Sequence, residues 1–493
     1  MTLMMLLEMI VSAFRDRVAI GSRANGLTYG QLFDRAGAGA RVLRERGARH
    51  LAYVGSSDDA FPVAMFASAW AGVPLIPLSY RMGADQLRYL LERHEDVLAV
   101  ADDDALPLLK GITSSTMSLT EWTKASMAPV PAEPSETDGE DIAVLLYTSG
   151  TTAAPKAVVL RHRHLSSYVI GSVEFGGADE GEAALVSVPP YHVAGVATVL
   201  SNVYAARRLV YLPAFSAERW LQTVRDEAIT QAMVVPTMLA RVVDHLGEGV
   251  PAAAPALRTL AYGGARMPIT VLERALAAFE TTDFVNAYGL TETSSTIAVL
   301  GPEDHRCLMS EGDTVARRRL SSVGRIVPGI EVEVRAGEIW VRGEQVSGEY
   351  LGLSSSLDAD GWFPTRDRGW LDDDGYLFVE GRADDTIIRG GENIAPAEVE
   401  DVLLRHPAVG AVAVVGLPDE EWGQRIGAAV VLRDGAEVTA EALRDWVRSS
   451  LRSSKTPDFI VFREDLPHTE TGKLLRRAVL ADLAGADNLE ATN

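Results

Sequence analysis

Ile142-Ala143-Val144-Leu145-Leu146-Tyr147-Thr148-Ser149-Gly150-Thr151-Thr152-Ala153-Ala154-Pro155-Lys156-Ala157 runs an apolar segment straight into a hydroxyl-rich loop that ends in lysine. Ile142 to Leu146 read as a buried strand. Thr148, Ser149, Thr151 and Thr152 crowd hydroxyl donors around Gly150, whose missing Cβ lets backbone N–H groups approach an anion. Lys156 adds a positive charge. A loop of this chemistry holds phosphate, and ATP is the first ligand it implies. The spacing G-x-x-x-x-G-K-[ST] is not met, because Pro155 stands where the second glycine belongs and Ala157 follows the lysine. The nucleotide site is therefore of another kind. By itself the segment is also readable as a polar surface turn after a strand, so the rest of the chain decides.

Outward from this stretch, from Tyr29 to about Leu300, apolar runs alternate with longer segments of helical periodicity. Leu51–Val54, Ile142–Tyr147, Ala184–Val188, Ala232–Val235, Leu257–Ala261 and Phe284–Ala287 are such runs. That is the pattern of a layered α/β domain with a largely parallel sheet. Between Val323 and Val379 the texture changes to short strands and tight turns, Glu331–Val334, Glu338–Val341 and Gly375–Val379, which predict a β-rich subdomain. After Gly381 come a helix opened by Pro396, strands at Val409–Val415 and Gly427–Leu432, and a helix over Glu441–Leu451. The fold class expected is α/β: a large N-terminal domain over residues 1–383, with a small, mobile α+β domain over 384–493.

A chain of 493 residues is too long for one ordinary core. Its 47% apolar and 23% charged content is that of a soluble globular protein. The one cysteine, Cys307, rules out an intramolecular disulfide and fits a reducing compartment, with the cytoplasm the simplest location. Leu3, Leu6, Leu7, Ile10 and Phe14 recur at helical spacing and predict an amphipathic first helix rather than a signal peptide. No apolar run is long enough to span a bilayer. The formal charge of −22 argues against generic nucleic-acid binding.

Four further clusters carry chemistry. Pro189-Pro190-Tyr191-His192-Val193-Ala194-Gly195 places an imidazole at the end of an apolar strand, where α/β sheets bind ligands; a lone histidine is also simply structural. Tyr262-Gly263-Gly264-Ala265 and Ala287-Tyr288-Gly289-Leu290-Thr291-Glu292 offer glycines for the close approach of a flat heterocycle, a stacking ring in Tyr288 and an oxygen ligand for Mg²⁺ in Glu292. Thr365-Arg366-Asp367 with Gly381-Arg382-Ala383-Asp384-Asp385 sets a carboxylate able to accept two ribose hydroxyls beside an arginine; a surface Arg–Asp network is the alternative. Leu466-Pro467-His468-Thr469-Glu470-Thr471-Gly472-Lys473 ends in a lysine on a glycine-containing turn.

In set and order these clusters resemble the adenylate-forming superfamily of acyl-CoA synthetases, peptide-synthetase adenylation domains and firefly-type luciferases. The match runs from about Leu27 to Arg477 on the strings YTSGTTAAPKA, AYGLTET, GWFPTRDRGWLDDDGYLFVEGRADDTIIRGGENIAPAEVE and LPHTETGK. The resemblance implies catalytic roles for Lys473, Thr151, Glu292 and His192, with Glu292 also the metal ligand. It implies ATP, Mg²⁺ and CoA as cofactors. Thr148, Ser149, Gly150, Thr152 and Lys156 would meet the phosphates, and Gly264, Ala265, Tyr288, Gly289 and Thr291 would surround the base. Asp367 and Arg382 would hold the ribose, Asp384 would be the hinge, and Gly391 would lie beside the thiol tunnel. Arg389 reads equally as a CoA-phosphate contact or a surface residue. Three departures stand out: Ala153 and Ala157 replace glycines usual in the phosphate loop, and Arg366 replaces the glycine usual before the ribose aspartate. No acid stands beside Tyr191-His192-Val193-Ala194 to bind an α-ammonium, and no carrier domain follows Lys473. The expected activity is thus that of a stand-alone acid–CoA ligase acting on an aromatic, cyclic or fatty acid. The alternatives are an acyl-AMP ligase that loads a separate carrier protein and a non-catalytic adenylate-binding protein.

Overall fold

The protein is represented by a computed structural model that describes residues 1–127, 133–148, 155–306, 318–469 and 474–490. Ile142–Thr148 is a strand of a six-stranded sheet with spatial order Ser115–Ser118, Val97–Ala101, His50–Val54, Leu75–Leu78, Ile142–Thr148, Lys156–Arg161. The first five strands run parallel, and the last pair closes as an antiparallel hairpin in which Thr148 faces Lys156. Continuous apolar runs such as Leu75–Leu78 and Val97–Ala101 are buried throughout, as expected for parallel strands covered on both faces.

The second sheet has 13 strands. Its parallel centre is ordered Arg208–Tyr211, Ala183–Val186, Gln231–Val234, Thr259–Gly263, Asp283–Leu290. The expected strands are all present, with ends displaced by a few residues: Leu257–Ala261 is found as Thr259–Gly263, because the amides of Arg258 and Thr259 both bond to Thr230 O before the ladder begins. The chain then reverses into Ser295–Leu300, and Gly324–Ile326, Tyr376–Arg382, Phe363–Leu371, Glu338–Gly343 and Ile330–Arg335 follow in antiparallel order. The β-rich segment has its own apolar cluster, including Ile297, Ile339, Val341, Phe363 and Leu377, but its strands extend the parallel sheet instead of forming a separate one.

Leu3–Phe14 is the expected first helix, capped by the Thr2 hydroxyl and buried along Leu3, Leu6, Leu7 and Ile10 between neighbouring helices. Beyond Arg382 the smaller C-terminal domain is a three-stranded sheet in which Val409–Asp419 and Gly423–Leu432 form a long hairpin and Phe459–Phe462 lies parallel to the latter. Pro396–Leu404, Ala440–Ser450 and Arg476–Glu490 are its helices. Its apolar clusters are built from residues between Ile387 and Leu483.

Candidate active site

The carboxyl ends of the parallel strands of the second sheet bring three expected segments to one edge. His192 caps the Val193–Tyr204 helix just past Ala183–Val186, with its ring 4.9 Å from that of Tyr191. Gly264 and Ala265 follow Thr259–Gly263. Tyr288 and Gly289 lie in the adjoining Asp283–Leu290 strand, where Gly263 pairs with Ala287. Thr291 and Glu292 form the one-turn reversal after it. This is where α/β sheets place ligands, because the strand ends leave backbone groups and loop side chains converging on a crevice.

Asp367 is the best-defined group here. It is buried, 7% exposed, and each carboxylate oxygen has a protein donor: Tyr288 Oη donates to Oδ2 at 2.6 Å and Arg382 Nη1 to Oδ1 at 3.0 Å. Arg382 Nη1 also donates to Thr365 O at 2.9 Å, and Asp367 and Arg382 oppose each other across the Phe363–Leu371 and Tyr376–Arg382 strands. A carboxylate has about four acceptor positions, so Asp367 keeps capacity for two hydroxyl donors. Burial pushes the Tyr288 hydroxyl well above its ordinary pKa, and the adjacent Asp367 adds to this, so it donates as a neutral phenol. Burial alone would lower the Arg382 guanidinium, but the Asp367 carboxylate outweighs it and raises the net value.

A second group lies beside the hairpin. Tyr350 Oη donates to Glu292 Oε1 at 2.8 Å, and Lys156 Nζ stands 5.4 Å from the centroid of the Tyr350 ring. The segment carrying Tyr350 is strapped down at both ends. Leu351 N bonds to Ala157 O and Val159 N to Glu349 O, while Arg161 grips the Glu349 carboxylate with two donors at 3.0 and 2.7 Å. Ser347 N bonds to Glu292 O, and the Gln345 amide to Thr293 O and Thr296 O. Tyr350 and its strap are not legible in the sequence, since Gly348-Glu349-Tyr350 has no local pattern that announces a partner 58 residues away.

Half-buried Glu292 has one oxygen bonded to Tyr350. Among the described residues no three His, Cys, Asp or Glu side chains converge as a cage. A lone carboxylate fits Mg²⁺, which takes one or two carboxylates and completes its shell with water and substrate phosphates.

Some of the expected residues serve the backbone, and others stand away from this edge. A Cβ on Gly263 would meet Ala287 O at 2.3 Å, one on Gly289 would meet Ser295 O at 1.7 Å, and one on Gly195 would meet Pro189 O at 2.2 Å, so backbone packing demands these glycines. A Cβ on Gly264 would make only an ordinary contact, with Val235 Cγ1 at 3.8 Å, but its φ of +79° asks for glycine on conformational grounds. Asp384 is exposed in the single turn Ala383–Asp385. Gly391, with Gly390, makes the two-residue turn of the Ile387–Arg389 and Glu392–Ile394 hairpin in the C-terminal domain, both at positive φ. Arg389 is paired there with Asp458 at 2.6 Å and is mostly buried. Ser149, Gly150, Thr151, Thr152, Lys473 and Cys307 lie outside the described residues.

Tyr288–Asp367–Arg382 and Lys156–Tyr350–Glu292 are the two side-chain groups that this geometry builds. Residues 7–351 match the family model for AMP-binding enzymes and residues 398–473 the model for the AMP-binding enzyme C-terminal domain. The chain belongs to the AMP-binding enzyme family. Among its relatives, it is 31% identical to the fatty acid–[acyl-carrier-protein] ligase ScoC of Streptomyces coeruleorubidus, over 95% of this chain and 93% of that protein. It is 32% identical to a feruloyl-CoA synthase of an Amycolatopsis species, over 94% of this chain and 95% of the relative. ATP-bound MatB from Rhodopseudomonas palustris superposes with a TM-score of 0.86 at 25% identity, covering 98% of this chain and 99% of MatB; the apo form of MatB gives 0.74.

Proposed function

We propose that the protein joins a carboxylic acid to CoA in two steps with ATP as the energy source. The observation that supports this most directly is that Tyr288–Asp367–Arg382, on the larger sheet, lies near Glu292 and Tyr350, with Lys156 of the smaller sheet against the Tyr350 ring, so that Arg382 and Glu292 attract one another. In the first step an oxygen of the acid attacks the α-phosphorus of ATP, the new P–O bond forms as the bond to pyrophosphate breaks, and an acyl-adenylate results. Asp367 accepts the ribose hydroxyls, with Tyr288 and Arg382 fixing its carboxylate. Tyr288, Gly264, Ala265, Gly289 and Thr291 flank the base. Thr148, Ser149, Gly150, Thr151, Thr152 and Lys156 donate to the phosphates, stabilising charge as it moves onto the leaving group. Glu292 would hold Mg²⁺, which when bound would neutralise phosphate charge. Lys473 stands between the two anions that must meet, and His192 lines the approach of the acid. In the second step the thiol sulfur attacks the acyl carbon and AMP leaves. Residues 384–493 turn about Asp384 between the steps, withdrawing Lys473 and bringing Gly391 beside the thiol path.

Carrier-protein loading is the second reading, favoured by the 31% identity to ScoC, and a cytoplasmic location suits either thiol. The test is acid-dependent pyrophosphate release over aromatic, medium-chain, long-chain and polycyclic acids, with and without CoA. Release with acyl-CoA seen by mass spectrometry is the expected result. Adenylate that never reaches CoA assigns the carrier protein, and silence with every acid overturns the ligase reading. Lys473→Ala is expected to abolish pyrophosphate release while sparing thioester formation from supplied acyl-adenylate; equal loss in both steps removes the lysine's assigned role.

A further inference from the structure

We propose that Arg266 and Asp401 are a positioning pair that holds the C-terminal domain in place for adenylation, an inference that rests on the two-step reading above. Arg266 lies two residues beyond Gly264 on the turn after Thr259–Gly263, at the edge assigned to the nucleotide. Asp401 lies on the Pro396–Leu404 helix of the other domain, and the two side chains form an ion pair. The same helix packs against Tyr376–Arg382, the strand that ends in the arginine bonded to Asp367.

A short run of contacts leads from the pair to Arg476. Next to Asp401, Glu400 takes both ends of the Arg476 guanidinium, with one bond at 2.8 Å. Arg476 also donates to Val414 O at 2.8 Å and lies 3.6 Å from Asp385 beside the proposed hinge. Arg476 is three residues past Lys473. His468 and Leu474, which bracket the lysine segment, pair antiparallel. Arg266 thus holds a helix, and that helix holds the segment that follows Lys473.

The MatB comparison supplies a second, independent observation. The chain as a whole superposes on ATP-bound MatB with a TM-score of 0.86 and on the apo form with 0.74, a difference between those two structures that runs in the direction the proposal expects. Arg266 is 44% exposed and Asp401 32% exposed along their side chains. Ion pairs this wet shift an equilibrium by only about two- to five-fold. Such a pair biases the domain toward adenylation without preventing its release for thioester formation.

The experiment measures the half-reactions separately in the full-length protein: acid-dependent ATP–pyrophosphate exchange, and thioester formation from supplied acyl-adenylate and CoA. Arg266→Ala and Asp401→Asn are each expected to slow exchange about two- to five-fold with thioester formation unchanged or faster. The charge-reversed double variant, Arg266→Asp with Asp401→Arg, is expected to recover most of the exchange rate. Equal slowing of both half-reactions, no effect on exchange, or failure of the folded double variant to recover would each overturn the pairing. Absence of exchange in the unmodified protein with every acid would instead strike the ligase reading. The pair is then read from fluorophore distances between the two domains with AMP present, where Arg266→Ala must broaden the distribution and an unchanged one overturns the proposal.

Discussion

Asp367 shows how one residue acquires its chemistry from its neighbours. Alone, a buried carboxylate costs several kcal/mol of desolvation, roughly, and tends to take up a proton; here Tyr288 and Arg382 compensate its charge and aim its oxygens. Tyr288→Phe removes the 2.6 Å bond, so KM for ATP is expected to rise about tenfold with a smaller change in kcat, since a hydrogen bond to a charged group is worth roughly 1.5–3 kcal/mol. Steady-state kinetics at saturating acid check this, and an unaltered KM would mean the phenol does not support nucleotide binding. The neighbouring Arg366 sits at φ +62°, in the left-handed region that glycine occupies freely. Arg366→Gly relieves left-handed strain of roughly 1–2 kcal/mol against a glycine entropy cost of roughly 0.5–1 kcal/mol, so a modest net stabilisation is expected, read as a higher midpoint in urea. Asp367, Tyr288 and Arg382 were each legible from chemistry and order, whereas Tyr350 was not, since its value lies entirely in reaching Glu292 across 58 positions.

Among the elements, the hairpin of Ile142–Thr148 and Lys156–Arg161 matters for what it carries at both ends. Its described ends meet at Thr148 and Lys156, and Arg161 leads into the His162–Ser172 helix, whose first turn buries two histidines. His162 accepts from Leu3 N and His164 from Arg161 N through their Nδ1 atoms. Burial, the main cause in each, lowers them to about 4 and about 3. Both therefore fold neutral. Above about pH 6.5 this carries no penalty; as pH falls from there toward 4, the unfolded chain takes up protons that the folded chain refuses, so stability falls. Asp59 runs the other way, because burial raises it to about 6 and its folded form binds a proton first. His94, lowered by burial to about 4, and His305, also lowered, act with these two, while Asp102 and Asp401 are raised by burial as Asp59 is; the histidines outnumber the aspartates, and the melting temperature is expected to drop between pH 6.5 and 4. His164→Asn is expected to lessen the slope, and a slope identical to that of the unmodified protein would show that the histidine does not drive it. The strand itself was plain from Ile142 to Leu146, but the histidines' burial depends on the first helix folding back over them, which no local spacing encodes.

Across the whole molecule, the apolar clusters fall on either side of the Ala383–Asp385 turn: those of the C-terminal domain draw on residues from Ile387 onward, and the buried members of the others end at Phe378. A fragment of residues 1–383 is accordingly expected to fold alone and bind AMP while losing acid-dependent pyrophosphate release by at least about 100-fold, the scale of one well-placed electrostatic group. Calorimetric titration with AMP and a release assay check the two halves of that statement; loss of AMP binding in a folded fragment would place part of the nucleotide site in the C-terminal domain. The sequence by itself determined the layered α/β class, the order of the chemical clusters, the helix at Pro396 and the kinship with AMP-binding enzymes, because periodicity, turn chemistry and short motifs are local and survive without coordinates. Only the tertiary structure decided that the β-rich segment continues the parallel sheet, that Gly195, Gly263 and Gly289 serve backbone packing, that Arg389 pairs with Asp458, and that Arg266 meets Asp401. Each of those depends on which distant segment the chain brings alongside, and a contact between residues 135 positions apart is fixed by packing of whole elements, not by the residues that flank it.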